Sequence, residues 1–139
     1  MTRSYVTAMV LAAGLASAIA LGANAAGRPV SPADLAGPIS DYKLWVVGEI
    51  DAFQKDSRAF TDAVRAGDLA RARALYAPAR VHYERVEPIA ELFSDLDKAI
   101  DVRADDFAKK EADPGFSGFH RLEYGLFAKN STDGLAPIA

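Results

Sequence analysis

The sequence predicts an all-α protein, an antiparallel helical bundle with short connections. Three observations carry this prediction. Apolar residues recur at helical spacing from Val46 to Phe127. No stretch sustains the apolar–polar alternation of a strand. Glycine and proline punctuate the periodic segments at Gly67, at Asp113-Pro114-Gly115 and at Gly134.

Residues 1–25 read as a signal peptide. Arg3 precedes an apolar run of sixteen residues, 6–21, and Ala23-Asn24-Ala25 fits the small-x-small cleavage pattern. The run is short for a membrane span of about 20 residues. The chain has no cysteine, which excludes a disulfide, a lipidated signal-peptide cysteine and thiolate ligation. These features lead one to expect the mature protein beyond the inner membrane, in a periplasm or outside the cell. Cleavage removes one arginine and no acid, leaving 15 basic residues against 19 acidic ones. Acids and bases alternate without a basic patch, so nucleic acid is a poor partner. The remaining length suffices for one modest core.

Residues 26–40 contain three prolines and two glycines when Gly27 is counted with them, and read as an extended leader. The helical domain is expected over residues 41–139. Ser40 or Asp41 caps its first helix, whose core stripe is Val46, Ile50, Phe53, Phe60 and Val64, with Ser57 interrupting. Gly67 stops it. Asp68 caps a second helix rich in Ala and Arg. Pro78 and Pro88 lie inside its pattern and predict kinks or a break. Because Leu75, Val81, Val86, Ile89, Leu92 and Phe93 continue the apolar pattern past both, a bent helix is expected. Residues 95–107 read as a more acidic helical segment, residues 111–117 as a turn, 118–128 as a last helix and 130–134 as a loop. Asn130-Ser131-Thr132 also matches a glycosylation acceptor, but reads better as a helix-ending loop. The run Gly134 to Ala139 resembles the start of another helix, which suggests a fragment or a bundle completed by a partner.

The chemistry concentrates in Gly118-Phe119-His120-Arg121-Leu122-Glu123-Tyr124. On a helix His120 and Glu123, at i and i+3, share a face, and an imidazole and a carboxylate aimed together make half of a metal site. Acids stand ready upstream: Glu84, Glu87 and Glu91 at i, i+3 and i+7, then Asp97, Asp101 and Asp105 at i, i+4 and i+8. Such stripes need answering cations, either Arg80, Arg85, Lys98 and Arg103 or a metal ion. Oxygen donors with one imidazole suit iron, manganese or zinc and disfavour copper(I). The spacing leaves a second reading open, in which the acids form a solvated face and His120 is a hydrogen-bonded core residue. His82 reads as structural or surface. There is no His-Glu-x-x-His, no Gly-x-Ser-x-Gly and no phosphate-binding glycine loop.

The stretch from Tyr76 to Glu91, including Arg80-Val81-His82-Tyr83-Glu84-Arg85-Val86-Glu87-Pro88, resembles the EfeO/EfeM branch of the imelysin-like proteins. So do Phe93-Ser94-Asp95-Leu96-Asp97 and the His120-x-x-Glu123 block. The likeness runs from about residue 38 to the end. It implies one half of an imelysin-like double bundle and a non-enzymatic, periplasmic iron-binding component of an Efe iron-uptake system. Such a component delivers ferrous or ferric iron to an inner-membrane permease and works beside a peroxidase component. Zinc or another divalent cation is the alternative cargo. Carried over by position, His120 and Glu123 are the metal-binding pair, joined by Glu87 and Asp101, with Asp97 and Glu84 nearby. Two other readings remain. One is an imelysin-like metallopeptidase. The other is a non-catalytic helical module binding a protein or polysaccharide through Arg65, Arg71, Arg73, Arg80 and Arg85.

Overall fold

The computed structural model describes residues 29–139; the expected signal peptide lies outside them. Every regular element among these residues is helical, with no strand. Helix α1 spans Pro32–Arg65 and α2 spans Leu69–Ala90. They form an antiparallel hairpin, closed by Gly67 in the left-handed region at φ 74° and by Asp68, whose side chain accepts a 3.0 Å hydrogen bond from the Arg71 amide. After a 3₁₀ turn, Glu91–Phe93, helix α3 spans Ser94–Asp101. Helix α4, Gly118–Glu123, continues into a π-helical turn, Tyr124–Ala128. No helix among the described residues is long and apolar enough to cross a membrane.

The structure departs from the sequence expectations in two places, at the start of α1 and after Asp101. Residues 32–40 are helical, and the compact unit is Pro32–Ala139, not residues 41–139. Pro32 occupies the first helical position, where a missing amide costs nothing. Around Pro38 the helix is exposed, so water can satisfy the carbonyl it frees. Helix α2 runs through Pro78 and Pro88 without a break. Both prolines, and Ala74 and Glu84 four residues before them, are exposed, so the freed carbonyls again face water. The acidic segment stops being α-helical at Asp101. Val102 turns extended at ψ 137°, and only short 3₁₀ turns, Ala104–Asp106 and Lys110–Ala112, follow.

The core lies between α1, α2 and α4. Phe60, Ala63, Val64, Ala72, Tyr76, Ala79, Phe119, Leu122, Leu126 and Leu135 form one buried cluster. The α1 stripe grows shallower toward its start: Phe60 and Val64 are fully buried, Phe53 packs partly, and Ile50 is exposed. Phe119 sits at the centre, stacked on Phe60 at 5.7 Å between ring centroids and tilted against Phe53 at 5.8 Å and Tyr76 at 6.0 Å. Such aromatic contacts add about 0.5–1.5 kcal/mol each beyond the area buried. They pin the residue next to His120.

Candidate functional site

The site is assembled by the approach of α4 to the end of α3. Gly118 adopts φ 70°, and a Cβ there would collide with the backbone carbonyl of Ile100. Glycine therefore lets α4 start against the last turn of α3, one residue from Asp101. The turn before it is the expected Asp-Pro-Gly turn: Asp113 Oδ1 accepts from the Gly115 amide at 3.0 Å, and the Phe116 amide donates to the Asp113 carbonyl at 3.1 Å. With Phe119 locked in the core, His120 projects toward α3 and α2.

The imidazole is held on both sides. Nδ1 lies 3.0 Å from Glu123 Oε2, and Nε2 lies 3.4 Å from Asp101 Oδ1 and 3.5 Å from Arg80 Nη2. An ionised carboxylate only accepts and a guanidinium only donates. The Glu123 contact therefore places a proton on Nδ1, and the Nε2 lone pair accepts from Arg80 while lying beside Asp101 Oδ1. Arg80 is buried to 9 % exposure although it sits on a charged helix. Its Nη1 meets Asp101 Oδ1 at 2.5 Å, its Nη2 meets Glu84 Oε1 at 2.6 Å, and its plane lies over Phe119 at 5.8 Å. Burial works against its charge, but Asp101, with Tyr76 and Glu84 adding to it, more than offsets this and raises its pKa.

The expected residues are brought near one another without converging. Glu87 and Asp101 line an acidic cavity of about 810 Å³ together with Asp95, Asp97 and Asp106, opposed by Lys98 and Arg103. His120 and Glu123 line a separate cavity of about 370 Å³. The Asp101–His120 contact is where the two sets meet. Glu123 and Asp101 engage opposite nitrogens of the ring, so the tips of His120 and Glu123 are hydrogen-bonded to each other and not aimed at one point. Among the described residues no three of His, Asp and Glu form a ready-made cage for an ion. Burial, then Glu84, Asp101 and Glu91, raises the Glu87 carboxyl above its usual range. Tyr83 donates to Asp97. Tyr76 is raised by burial first and by the Glu123 charge next.

Two features escaped the sequence reading. Arg80 was grouped with surface cations, yet it is the buried hub of the site. The arginine surface expected for a partner is also taken up internally: Arg73 Nε donates to the Leu126 carbonyl at 2.8 Å, Arg85 pairs with Glu49 at 3.2 Å, and Arg65 donates to the Ala139 carbonyl. His82 joins the two long helices, with Nδ1 2.7 Å from Glu49 Oε2 and Nε2 3.3 Å from Asp56 Oδ2. Glu49 and Asp56 stand seven residues apart, two turns of one helix face, which was the available signal.

Comparison with known proteins adds the following. Residues 38–139 match the family model described as Imelysin, peptidase M75. The chain is 59% identical over 121 residues to "Iron uptake system component EfeO" of Yersinia pseudotuberculosis, covering 87% of this chain and 32% of that protein. It is 55% identical over 115 residues to "Iron uptake system component EfeM" of Pseudomonas syringae, covering 83% and 40%. Against the EfeO of Escherichia coli K12 it is 58% identical over 105 residues, covering 76% and 28%. The chain spans about a third of the length of these relatives.

Proposed function

Because this chain belongs to the imelysin family, we propose that it handles iron as a non-enzymatic, periplasmic component of an uptake system of the Efe kind. It captures ferrous or ferric ion as cargo and passes it to an inner-membrane permease that works with a peroxidase component. Two things support this reading: the names its relatives carry, and one observation within the chain, the Asp101–His120–Glu123 chain of contacts. A carboxylate that accepts from one ring nitrogen fixes the tautomer and directs the other nitrogen's lone pair, the arrangement that ligating histidines use. Here His120 Nε2 and Asp101 are the donors, Glu123 orients the ring, and Glu87 supplies negative charge from the neighbouring cavity wall. An imidazole with carboxylates suits iron in either oxidation state and also zinc.

Capture is ligand exchange, with no bond of a substrate broken. Both donors must be deprotonated to bind, so affinity falls with acid. Titrating the protein with iron by calorimetry tests the reading. His120→Ala is expected to weaken binding at least tenfold, and equal affinity in the two proteins would end the claim. The peptidase reading follows from the family model's description. It requires a second imidazole and an adjacent general base on one helix, which this sequence does not place beside His120. No cleavage of an unfolded substrate is expected, and Glu123-dependent proteolysis would reverse that.

A further inference from the structure

Resting on the iron-capture reading, we infer that Arg80 is the site's counter-ion lock. Its guanidinium stands where an arriving cation must neutralise Asp101, and binding requires it to withdraw along its own helix to Glu84. Three observations support this, and a consequence follows.

Arg80 occupies the central position. It reaches Asp101, Glu84 and the unprotonated nitrogen of His120 at once, so the two proposed donors share one resident positive charge. Ions of like charge cannot share a buried carboxylate cheaply, because desolvation strengthens their repulsion. A metal ion and the guanidinium therefore compete for Asp101.

The contact being surrendered is a buried one. Arg80 Nη1 lies 2.5 Å from Asp101 Oδ1, whose side chain is only 8 % exposed. A buried ion pair carries the desolvation cost of both groups, so an ion of higher charge can replace the guanidinium at Asp101.

An exit exists. Glu84 lies one turn along α2 from Arg80, already contacts Nη2, and its side chain is 46 % exposed. Rotation toward Glu84 moves the guanidinium toward water without leaving it unpaired. Glu84, which the sequence offered as a ligand, thus acts as the receiver of the displaced cation.

Finally, the lock sets the class of ligand. Replacing a resident monovalent cation favours ions whose charge exceeds one, so the site discriminates against sodium and potassium and in favour of divalent and trivalent metals.

The test is calorimetric titration of the whole chain with ferrous ion under anaerobic conditions, and with zinc. Arg80→Gln keeps length and polarity but removes charge. It is expected to lower the unfolding temperature of the unloaded protein while binding metal at least tenfold more tightly, with a larger metal-induced rise in unfolding temperature. A purely structural arginine would predict weaker or unchanged binding, and that result in folded protein overturns the lock. Should Arg80→Gln fail to fold, Glu84→Gln in the native Arg80 background carries the test. Removing the receiver is expected to weaken binding at least threefold, and unchanged affinity counts against withdrawal. If the unaltered protein binds neither metal, the capture reading fails and the lock with it. If it binds but Arg80→Gln binds no tighter, the lock alone fails.

Discussion

At the scale of single residues, the proposed iron capture turns on which ring nitrogen of His120 can meet the ion. Glu123 and Asp101 flank the imidazole on opposite sides, at 3.0 and 3.4 Å, so they cannot play the same part. Glu123 accepts from Nδ1 and fixes the tautomer, whereas Asp101 lies beside Nε2. Removing an orienting carboxylate of this kind costs about 10- to 100-fold in metal affinity. Glu123→Ala is therefore expected to weaken iron binding within that range, while Glu123→Gln, whose amide oxygen still accepts from Nδ1, recovers part of it. Calorimetric dissociation constants for the two variants check this, and equal affinities for Ala and the native residue would show that Glu123 does not orient the ring. The His-x-x-Glu spacing was legible in the sequence because i and i+3 share a helix face whatever surrounds them. The role of Arg80 was not. A cation between glutamates on a helix reads as solvated, and only the arrival of α3 and α4 from 21 and 40 residues further on buries it.

At the scale of elements, the hairpin of α1 and α2 was readable because its signals are local: a stop at Gly67, a cap at Asp68 and apolar spacing on either side. The end of α3 was not. Asp97, Asp101 and Asp105 keep helical spacing, so the pattern alone continues the helix, whereas the observed stop coincides with Gly118 docking on the Ile100 carbonyl. Gly118→Ala combines a left-handed backbone with that collision. It is expected to destabilise the protein by about 2 kcal/mol or more, measured by urea unfolding, and to weaken iron binding as α4 is pushed from Asp101. A loss below a few tenths of a kcal/mol would mean that the close approach is unimportant. The His82 clamp belongs to this scale too. Hydrogen bonding from His82 leads the effects that lower the Glu49 carboxyl below 4.5, with Arg85 adding to it and burial opposing. A carboxyl lowered on folding contributes stability above its unfolded pKa and loses it as pH falls through the folded value. Between about pH 5 and pH 3, Glu49→Gln is expected to flatten the decline in unfolding free energy. An identical slope in both proteins would remove Glu49 from the acid response.

At the scale of the whole molecule, the class and topology follow from periodicity, but the site depends on contacts that periodicity does not record. The described chain presents acidic walls around one cavity, a single imidazole at its edge and a buried arginine in between. Its relatives named for iron uptake are about two to three times as long. The early start of α1 at Pro32 shows the same lesson in reverse. Composition marked residues 32–40 as extended, yet their exposure lets proline be tolerated within a helix. X-ray absorption at the iron edge, recorded on the iron-loaded protein and on its His120→Ala variant, addresses the donors themselves. The expected spectrum has only nitrogen and oxygen neighbours, with imidazole scattering that vanishes in the variant. Imidazole scattering that persists in the variant, or none in the native protein, would contradict the assignment of His120 as the ligand.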